Sequence, residues 1–454
     1  MLPRISTVIT ALLCLPSLAV AEMKPDIAAG FKAGFVCSGV FLAGRGVEQV
    51  LAEELVNIPE VEALPLPVVD REQKTVSVTY DDVLPPRMAH FVEGMGTVIL
   101  PIGATLETAP KLPEVKMPQP EGDAASIPWP DGDLLPEPAP LSPTLQAVVE
   151  RAFDTRSWPN TKTIGVVVVH KDRIIAEQYA PGWNKETQYR TWSTGKSIAN
   201  ALVGILVKQG KLSTAQPAPI AEWQSPEDAR KKITIENLLE MSSGLKSPGA
   251  MTYSGYWGGI DSAADAAAGE LKYPPGSRWM YANYDTLLLM KSMRNVLNDD
   301  AAYLSFPRRE LLNKIGMRHT FPEVDAYGNF VMSSQVYTTP RDLARFGLLY
   351  LHDGVWNGER ILPEGWVAYS TTPAPAYKKS GADDQRGYGK QWWLYNNAPG
   401  LPADTYTTAG NRGQFCTILP GKQLIIVRMG IDPMWQSDWN QPKFAAEVAA
   451  AVGE

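Results

Sequence analysis

The stretch that decides the fold is residues 191–212, TWSTGKSIANALVGILVKQGKL. It opens with STGK at 193–196, runs almost wholly apolar as far as Val207, and closes with KQGK at 208–211. An apolar run without a polar face predicts a buried helix, and basic residues followed by glycine are typical of a helix C-terminus. The hydroxyl and the amine of 193–196 lie at the opposite end, where this predicted helix begins.

Ser193 and Lys196 are three residues apart, so on a helix their side chains share one face. At a helix N-terminus, unpaired N–H groups and the helix dipole stabilise developing negative charge. Burial lowers the pKa of a lysine, and a serine beside a neutral lysine is a nucleophile beside a base. The alternative is a serine that caps the helix beside a solvated lysine. A second Ser-x-x-Lys at 243–246 contains glycine and runs into Ser-Pro-Gly, which predicts a turn.

The composition bounds the possible classes of protein. The chain has 454 residues, 44% of them hydrophobic, which suffices for one large domain with additional material or for two domains. The net charge is −7 and the isoelectric point is about 5.4. Because no block of basic residues is present, we expect no nucleic-acid partner.

Residues 1–21 have the pattern of a secretory signal. Arg4 precedes the apolar run 5–15, and Ala-Val-Ala at 19–21 offers small residues for cleavage. We expect an exported protein, periplasmic or secreted, without a transmembrane span after signal removal, because no later run reaches the roughly 18 apolar residues that cross a membrane. The mature chain keeps Cys37 and Cys416, for which a disulfide and two separate buried thiols both stay open.

Three regions follow the predicted signal. Residues 22–108 have the mixed pattern of a small α/β region. Its spacing predicts one helix and two strands, at 46–56, 74–80 and 92–100. Residues 109–141 are rich in proline, which removes backbone donors and keeps the chain extended, so they form either a linker or a strap over the next domain. Residues 142–454 form the large domain.

The large domain combines strand hairpins near both ends with helices between them. The hairpins are predicted at 163–179 and 414–431, each as two β-rich runs around a turn. Helices are predicted at 144–154, 194–208, 340–352 and 442–451, and a capped helix followed by a turn is predicted at 234–245. This order predicts an α+β fold in which one antiparallel sheet is covered by helices.

The order of three motifs resembles that of class C serine β-lactamases and the related penicillin-binding peptidases, esterases and amidases. The motifs are Ser193-x-x-Lys196, Tyr281-x-Asn283 and a glycine-containing strand entry at 408–414. Three longer phrases look most like 6-aminohexanoate-dimer hydrolase-like serine hydrolases: LLEMSSGL at 238–245, PPGSRWMYANYD at 274–285, and TTPRDLARFGLLYLHDGVWNGERILPEGW at 338–366. The resemblance covers about residues 142–454, and it implies a sheet flanked by helices plus an all-helical lobe.

Two of these motifs have look-alikes elsewhere. Tyr-x-Asn also occurs at Tyr327 and Tyr395, but only the Tyr281 copy follows a Pro-Gly turn and precedes an apolar helix. Lys-Ser-Gly at 379–381 has the letters of the third penicillin-recognition motif but lies in a polar loop, so we interpret it as a decoy. The strand entry itself, TAGN at 408–411, lacks a lysine that could pair with a β-lactam carboxylate. This departure argues against penicillin recognition but not against hydrolysis.

The resemblance implies covalent acyl transfer with a defined set of roles. Ser193 attacks a carbonyl, and Lys196 takes its proton. Tyr281, with its pKa lowered while the lysine is charged, relays a proton to the leaving group and then helps to activate water. Asn283 orients Lys196, and the backbone N–H groups of Ser193 and Asn411 bind the oxyanion.

Further residues are candidates for contact with the substrate. Gly410 would let the strand approach the substrate closely because it has no side chain. Residues 247–278 are rich in Gly, Ser, Tyr and Trp and have the character of a pocket-shaping loop. The other candidates for substrate binding are Gln414, Tyr256, Trp257 and Asp261, and Trp279, Trp392 and Trp393 are candidates for the pocket wall. Core packing of the tryptophans and a solvated loop position for Asp261 are the alternatives.

We therefore expect an exported serine hydrolase that cleaves a small amide or ester. No cofactor and no metal are expected, because the chain has no His-x-His or His-Glu-x-x-His cluster. The chain also has no Gly-x-Ser-x-Gly elbow, which argues against a Ser-His-Asp hydrolase. One alternative is a class C β-lactamase or D-alanyl-D-alanine carboxypeptidase. The other is a catalytically idle binding or regulatory module of the same fold.

Overall fold

The computed structural model describes residues 23–136, 142–247, 252–379, 385–434 and 436–453. The predicted signal segment, the last residues of the Pro-rich segment, and Ser380 and Gly381 of the decoy motif lie outside these ranges. The helices are α1 (Pro25–Cys37), α2 (Val47–Glu54), α3 (Pro59–Glu62), α4 (Pro143–Arg151), α5 (Gly195–Lys208), α6 (Ile235–Leu239), α7 (Tyr253–Trp257), α8 (Ser262–Ala267), α9 (Asn283–Leu297), α10 (Asp300–Pro307), α11 (Pro340–Leu351), α12 (Trp366–Thr371) and α13 (Gln441–Ala451).

The strands are short, and the longest of them belong to the two predicted hairpins. They are β1 (Val68–Asp70), β2 (Thr75–Val78), β3 (Arg87–Val92), β4 (Gly96–Ile99), β5 (Thr163–His170), β6 (Arg173–Tyr179), β7 (Tyr189–Arg190), β8 (Phe321–Pro322), β9 (Val336–Thr338), β10 (Val355–Trp356), β11 (Glu359–Arg360), β12 (Gly387–Tyr388), β13 (Trp393–Leu394), β14 (Tyr406–Gly410), β15 (Gln414–Leu419) and β16 (Leu424–Gly430).

One antiparallel sheet organises the large domain, as predicted. In the described part of the chain it has seven strands in the order β12-β13-β14-β15-β16-β5-β6. The hairpins β5–β6 and β15–β16 are both confirmed, and β16 joins them by pairing with β5, with Val427 opposite Val167. The two ends of the domain sequence thus meet at the centre of the sheet, and the α+β class is confirmed.

Helices cover both faces of this sheet. Val166 and Val168 of β5 pack in one cluster with residues of α4 and α13. Val167 and Val169 face the other way, into the main core with α5 and α11. Since successive residues of a strand point to opposite faces, burial on both faces explains why β5 is an unbroken apolar run.

The N-terminal region forms a four-stranded antiparallel sheet in the order β1-β2-β3-β4, packed against α1. The predicted helix and strands are present as α2, β2 and β4, whereas α1 was not predicted. With the π-helical turn that follows it, α1 extends to Leu42 and, by length and composition alone, could cross a membrane. In this structure, 78% of residues 25–42 are buried inside the protein. Core helices of this kind pass the same test, so the helix is weak evidence of a membrane span.

The Pro-rich segment lies along the large domain as a strap in its described part. Arginine side chains of the large domain donate to its backbone carbonyls, including Arg345 to Gly132 and Arg341 to Asp133. The Trp129 indole donates in turn to the Asp172 carbonyl at 2.9 Å. An extended, proline-rich chain pairs few carbonyls internally, so these donors satisfy groups that would otherwise be buried unpaired.

Cys37 and Cys416 are free and buried, the first in α1 and the second in β15. The sequence left open a disulfide or two separate buried thiols, and the structure has separate buried thiols.

Candidate active site

Three parts of the large domain bring the predicted catalytic residues to one cavity. Ser193 lies in the 3₁₀ turn Trp192–Thr194, and Lys196 lies in the first turn of α5. Tyr281 and Asn283 stand where the chain enters α9. Gly410 ends β14, and Asn411 follows it.

Lys196 is buried, at 1% exposure, and its amine has three oxygen neighbours. Nζ donates to Asn283 Oδ1 at 2.7 Å and to the Ser333 carbonyl at 2.6 Å, and it lies 3.1 Å from Ser193 Oγ. The Asn283 amide is itself held by donation of its Nδ2 to Thr252 Oγ1 at 3.0 Å. This burial excludes the alternative of a solvated lysine beside a capping serine.

Burial lowers the pKa of Lys196 well below its ordinary value. A neutral amine has two N–H donors and one lone pair. The two shorter contacts, to Asn283 and Ser333, occupy the donors, so the lone pair is left for the Ser193 hydroxyl. The geometry therefore suits a lysine that accepts the proton of Ser193.

Tyr281 lies on the other side of Ser193. Its phenol shares a hydrogen bond with the Ser193 hydroxyl, and Lys196 Nζ is 5.0 Å from the centroid of its ring. Burial raises the pKa of Tyr281 to about 12, although the hydrogen bond with Ser193 lowers it in part. The sequence analysis expected a lowered pKa while the lysine is charged. With the lysine neutral, the direction is the reverse, and Tyr281 is a protonated donor.

The opposite pKa shifts of Lys196 and Tyr281 separate their chemical roles. Two titratable groups whose environments push their pKa values apart mark the base and the acid of a site. The neutral amine can accept a proton, and the phenol can donate one, with the serine hydroxyl between them.

The end of β14 presses against the turn that carries the nucleophile. A Cβ added at Gly410 would lie 2.1 Å from the Thr191 carbonyl oxygen and 3.2 Å from Thr194 N, so only glycine fits here. Thr194 Oγ1 also donates to the Gln414 carbonyl at 3.1 Å. These contacts fix the backbone of residues 410 and 411 beside Ser193, as an oxyanion site built from two backbone N–H groups requires.

The cavity that contains Ser193 has a volume of about 630 Å³. Aromatic side chains form much of its wall, including the predicted Tyr256 and Trp257. Trp393 also lines it and stacks on Tyr281 with ring centroids 5.7 Å apart. Trp279 packs behind Tyr281 in the same aromatic cluster, and Trp392 is buried in the main core instead.

Two predicted substrate-binding residues do not face this cavity. Gln414 is fully buried, and its amide donates to the backbone carbonyls of Asn411, Arg412 and Gly430, so it braces the turn after β14. Asp261 caps α8 by accepting from Ala264 N at 2.8 Å. Both assignments are corrected, because the residue type does not fix the direction of its side chain, here at the start of β15 and at the start of α8.

The look-alike motifs lie elsewhere or act differently. Ser243 donates to Asp285 Oδ1 at 2.7 Å, which is a structural contact. The turn predicted at 243–246 is not formed; Leu245 instead makes an isolated antiparallel bridge with Leu271. Tyr327 is exposed, whereas Tyr395 is buried and lines the cavity, although its sequence context gave no sign of this.

Ser333 is a functional position that sequence reasoning missed. Its carbonyl accepts from Lys196, and its Oγ lies 2.6 Å from the Tyr256 hydroxyl. Because a backbone carbonyl makes the contact with the lysine, the identity of residue 333 gives no signal. Among the described residues, no group of three or more His, Cys, Asp or Glu side chains is arranged to hold a metal ion.

The fold and the site together define a serine hydrolase with the architecture of β-lactamases and penicillin-binding proteins. The chain belongs to the Beta-lactamase family, whose model matches residues 149–433.

Several known proteins are similar to this chain. It is 24% identical over 357 residues to 6-aminohexanoate-dimer hydrolase of Paenarthrobacter ureafaciens, with 68% of this chain and 84% of that protein covered. A family VIII carboxylesterase structure matches with a TM-score of 0.55 at 16% identity, covering 69% of this chain and 98% of that one. A penicillin-binding protein homologue from Caulobacter crescentus matches with a TM-score of 0.53 at 14% identity, with coverages of 69% and 98%. At these identities, the structural matches establish the fold.

Proposed function

We propose that this protein hydrolyses a small amide or ester through an acyl-enzyme formed on Ser193. The observation that carries the proposal is the position of Ser193 Oγ, 3.1 Å from the amine of a buried lysine and hydrogen-bonded to the phenol of the half-buried Tyr281. The similarity to 6-aminohexanoate-dimer hydrolase supports the substrate class.

Acylation begins when Ser193 Oγ attacks the substrate carbonyl and its proton passes to Lys196 Nζ. The carbonyl electron pair moves to oxygen, where the N–H groups of Ser193 and Asn411 stabilise the charge. When the tetrahedral intermediate collapses, the bond to the leaving group breaks. Tyr281 gives its proton to the leaving amine or alkoxide and recovers one from the Lys196 ammonium, so the two groups return to their resting state.

Deacylation repeats these steps with water as the nucleophile. Water gives a proton to the Lys196–Tyr281 pair and attacks the acyl carbonyl. Collapse breaks the bond to Ser193 Oγ, which takes back a proton, and the carboxylic acid leaves.

Covalent labelling of Ser193 tests this proposal. A fluorophosphonate probe followed by peptide mass spectrometry should modify Ser193 in the wild type, and Ser193→Ala should abolish both labelling and hydrolysis of p-nitrophenyl esters and short linear amides. Ser243→Ala is the matched control, since Ser243 belongs to the other Ser-x-x-Lys and should leave labelling unchanged. An unlabelled Ser193 in folded protein would favour an idle module, and enzyme-like turnover of a chromogenic cephalosporin would favour a β-lactamase.

We also infer that the protein is exported, on the signal-like pattern of residues 1–21. We expect it to bind its small-molecule substrate, and we expect no nucleic-acid partner. N-terminal sequencing of the mature protein from the periplasm or medium should begin at Glu22. A chain that stays in the cytoplasm with Met1 retained contradicts export.

A further inference from the structure

A buried carboxylate joins the N-terminal region to the loop that holds the catalytic lysine. We propose that residues 23–108 position Lys196, acting through Glu323 and the loop 323–335, which connects β8 to β9. Glu323 is a positioning residue in this scheme and does not touch the substrate. The inference rests on the proposed function, because it requires Lys196 to be the base.

The first step is the contact of Glu323 with the N-terminal region. Its Oε1 accepts from Ser38 Oγ at 2.9 Å and from Thr97 N at 3.0 Å, and its side chain is 1% exposed. Oε2 faces Arg190 Nη2 at 3.6 Å. Arg190 belongs to β7, which leads directly into the nucleophile turn. The carboxylate therefore lies between the N-terminal region and the segment that delivers Ser193.

The second step is the loop itself, whose two ends are joined by backbone hydrogen bonds. Glu323 N donates to the Gln335 carbonyl at 2.8 Å, and Val331 N donates to the Glu323 carbonyl at 3.1 Å. Gln335 Nε2 also donates to the Tyr256 carbonyl at 3.0 Å. Ser333, which lies between Val331 and Gln335, offers its carbonyl to Lys196 at 2.6 Å. A shift of Glu323 is therefore passed to the acceptor that binds the lysine.

Space around Glu323 permits little movement. Gly96 of β4 has φ +77°, and a Cβ added there would lie 2.7 Å from Glu323 Cγ. Glycine is needed at position 96 because the backbone has a positive φ there and because the Glu323 side chain lies so close. The packing thus sets the position of the Glu323 side chain within narrow limits.

The same region also supports the cavity wall. Phe31 and Phe35 of α1 contact the Trp257 ring, with centroids 4.7 and 5.4 Å apart. Arg87 Nη2 donates to the Trp257 carbonyl at 3.0 Å. Trp257 lines the cavity beside Tyr256, so the N-terminal region reaches the site by a second route that is independent of Glu323.

Burying a carboxylate between two regions costs more desolvation free energy than burying apolar side chains there. The advantage of the Glu323 carboxylate is that its hydrogen bonds are directional, so they fix the position of the loop more closely than apolar contacts do. The family match covers residues 149–433, so Glu323 lies inside the matched part, whereas its partners Ser38 and Thr97 lie outside it.

The pH dependence of activity is a suitable readout of this inference. It depends on the groups that surround the Lys196 and Glu323 side chains. Lys196 faces Ser193, Asn283, the Ser333 carbonyl and the Tyr281 ring. The titratable or charged groups that face Glu323 are Arg190, Tyr337 and Cys37. Loss of the Ser333 acceptor makes the Lys196 ammonium less stable, which moves the titration of Lys196 to lower pH.

Glu323→Gln is the decisive variant, assayed on p-nitrophenyl butyrate. We expect kcat to fall by roughly three- to thirtyfold with KM nearly unchanged, and the acidic limb of the kcat profile to move to lower pH. Ser38→Ala, which keeps the charge but removes one hydrogen bond, should shift both quantities less. Lys32→Met is the matched control, because Lys32 is buried in the same region and donates to Val61 and Leu64 carbonyls, away from the loop.

The outcomes separate this inference from the proposed function. If Glu323→Gln and Ser38→Ala keep the wild-type kcat and pH midpoint and only melt earlier, as Lys32→Met should, the role is structural and the inference is wrong. Should Glu323→Gln fail to fold, Ser38→Ala decides alone. If Ser193→Ala or Lys196→Ala remains active, the proposed function fails instead, whatever the result at Glu323.

Discussion

At the scale of single residues, the site depends on the protonation state of the Lys196 amine. Lys196 is buried, no carboxylate among the described residues lies beside it, and desolvation lowers its pKa. Its two best hydrogen bonds go to neutral acceptors, an amide and a carbonyl, which orient the amine without fixing its charge. A base prepared in this way needs no third ionised group.

Removal of the amine should therefore stop acylation while leaving the fold. We expect Lys196→Ala to slow fluorophosphonate labelling of Ser193 by roughly 10²–10⁴-fold, the range typical of a lost general base. Lys196→Arg should be equally slow because a guanidinium stays protonated. The measurement is the second-order labelling rate, with the melting temperature as the test of folding. Wild-type labelling in either folded variant would remove Lys196 from the mechanism.

Tyr281→Phe separates acylation from protonation of the leaving group. The ring should keep its stacking on Trp393, so the cavity wall is preserved. Amides need a proton on the departing nitrogen, whereas p-nitrophenolate leaves without one. We therefore expect kcat on a short linear amide to fall by roughly 10²–10⁴-fold and kcat on a p-nitrophenyl ester to fall much less. Equal losses on the two substrates would contradict the assigned role.

At the scale of elements, the end of β14 packs against the 3₁₀ turn that precedes α5, and no side chain fits at Gly410 between them. Gly410→Ala should push the strand from the nucleophile turn and misplace the Asn411 N–H. We expect a loss of roughly 10²–10³-fold in kcat, as for a lost oxyanion donor. Gly387→Ala is the control in the same sheet, since its Cβ would meet Leu394 at 3.3 Å and no backbone carbonyl. An active Gly410→Ala would show that the oxyanion site lies elsewhere.

Helix α9 carries a buried carboxylate whose titration affects stability. Burial raises the pKa of Asp285 to about 7, opposed in part by hydrogen bonds from Ser243. An unfolded aspartate has a pKa of about 3.9, so between about pH 4 and about pH 7 the folded chain binds a proton that the unfolded chain has lost. The stability contribution is complete below this window and is lost as the pH rises through it.

Asp285→Asn should remove that part of the pH dependence. The free energy of unfolding, measured by urea titration, should lose a slope worth on the order of 3 kcal/mol between pH 4 and pH 7. Asp438→Asn serves as a control, because Asp438 is exposed and should leave the slope unchanged. An unchanged slope in Asp285→Asn would mean that this carboxylate is ionised in the folded protein at low pH.

At the scale of the whole molecule, the sequence predicts what periodicity and local chemistry determine. The hairpins, the buried helix α5 and the last helix follow from apolar patterns, and the central sheet follows from their order. The pairing of Ser193 with Lys196 follows from their spacing on a helix. The approach of Tyr281 to this pair was expected only from the resemblance, because a long separation along the chain does not give distance in space.

Other features depend on tertiary contacts that leave no local pattern. Helix α1 docks on the large domain through Trp257, and Ser333 contributes a carbonyl, which any residue has. Gln414 and Asp261 have side chains suited to substrate binding, yet the backbone around them directs both to structural hydrogen bonds. The residue type shows that a side chain can form hydrogen bonds, and the fold determines which group it binds.

The central claim is that Ser193 carries the acyl group during turnover, and rapid-quench mass spectrometry with p-nitrophenyl butyrate tests it most directly. The account predicts a burst of about one p-nitrophenolate per protein and a butyryl adduct on the peptide containing Ser193. Steady turnover with no adduct, or an adduct on any other residue, would contradict it.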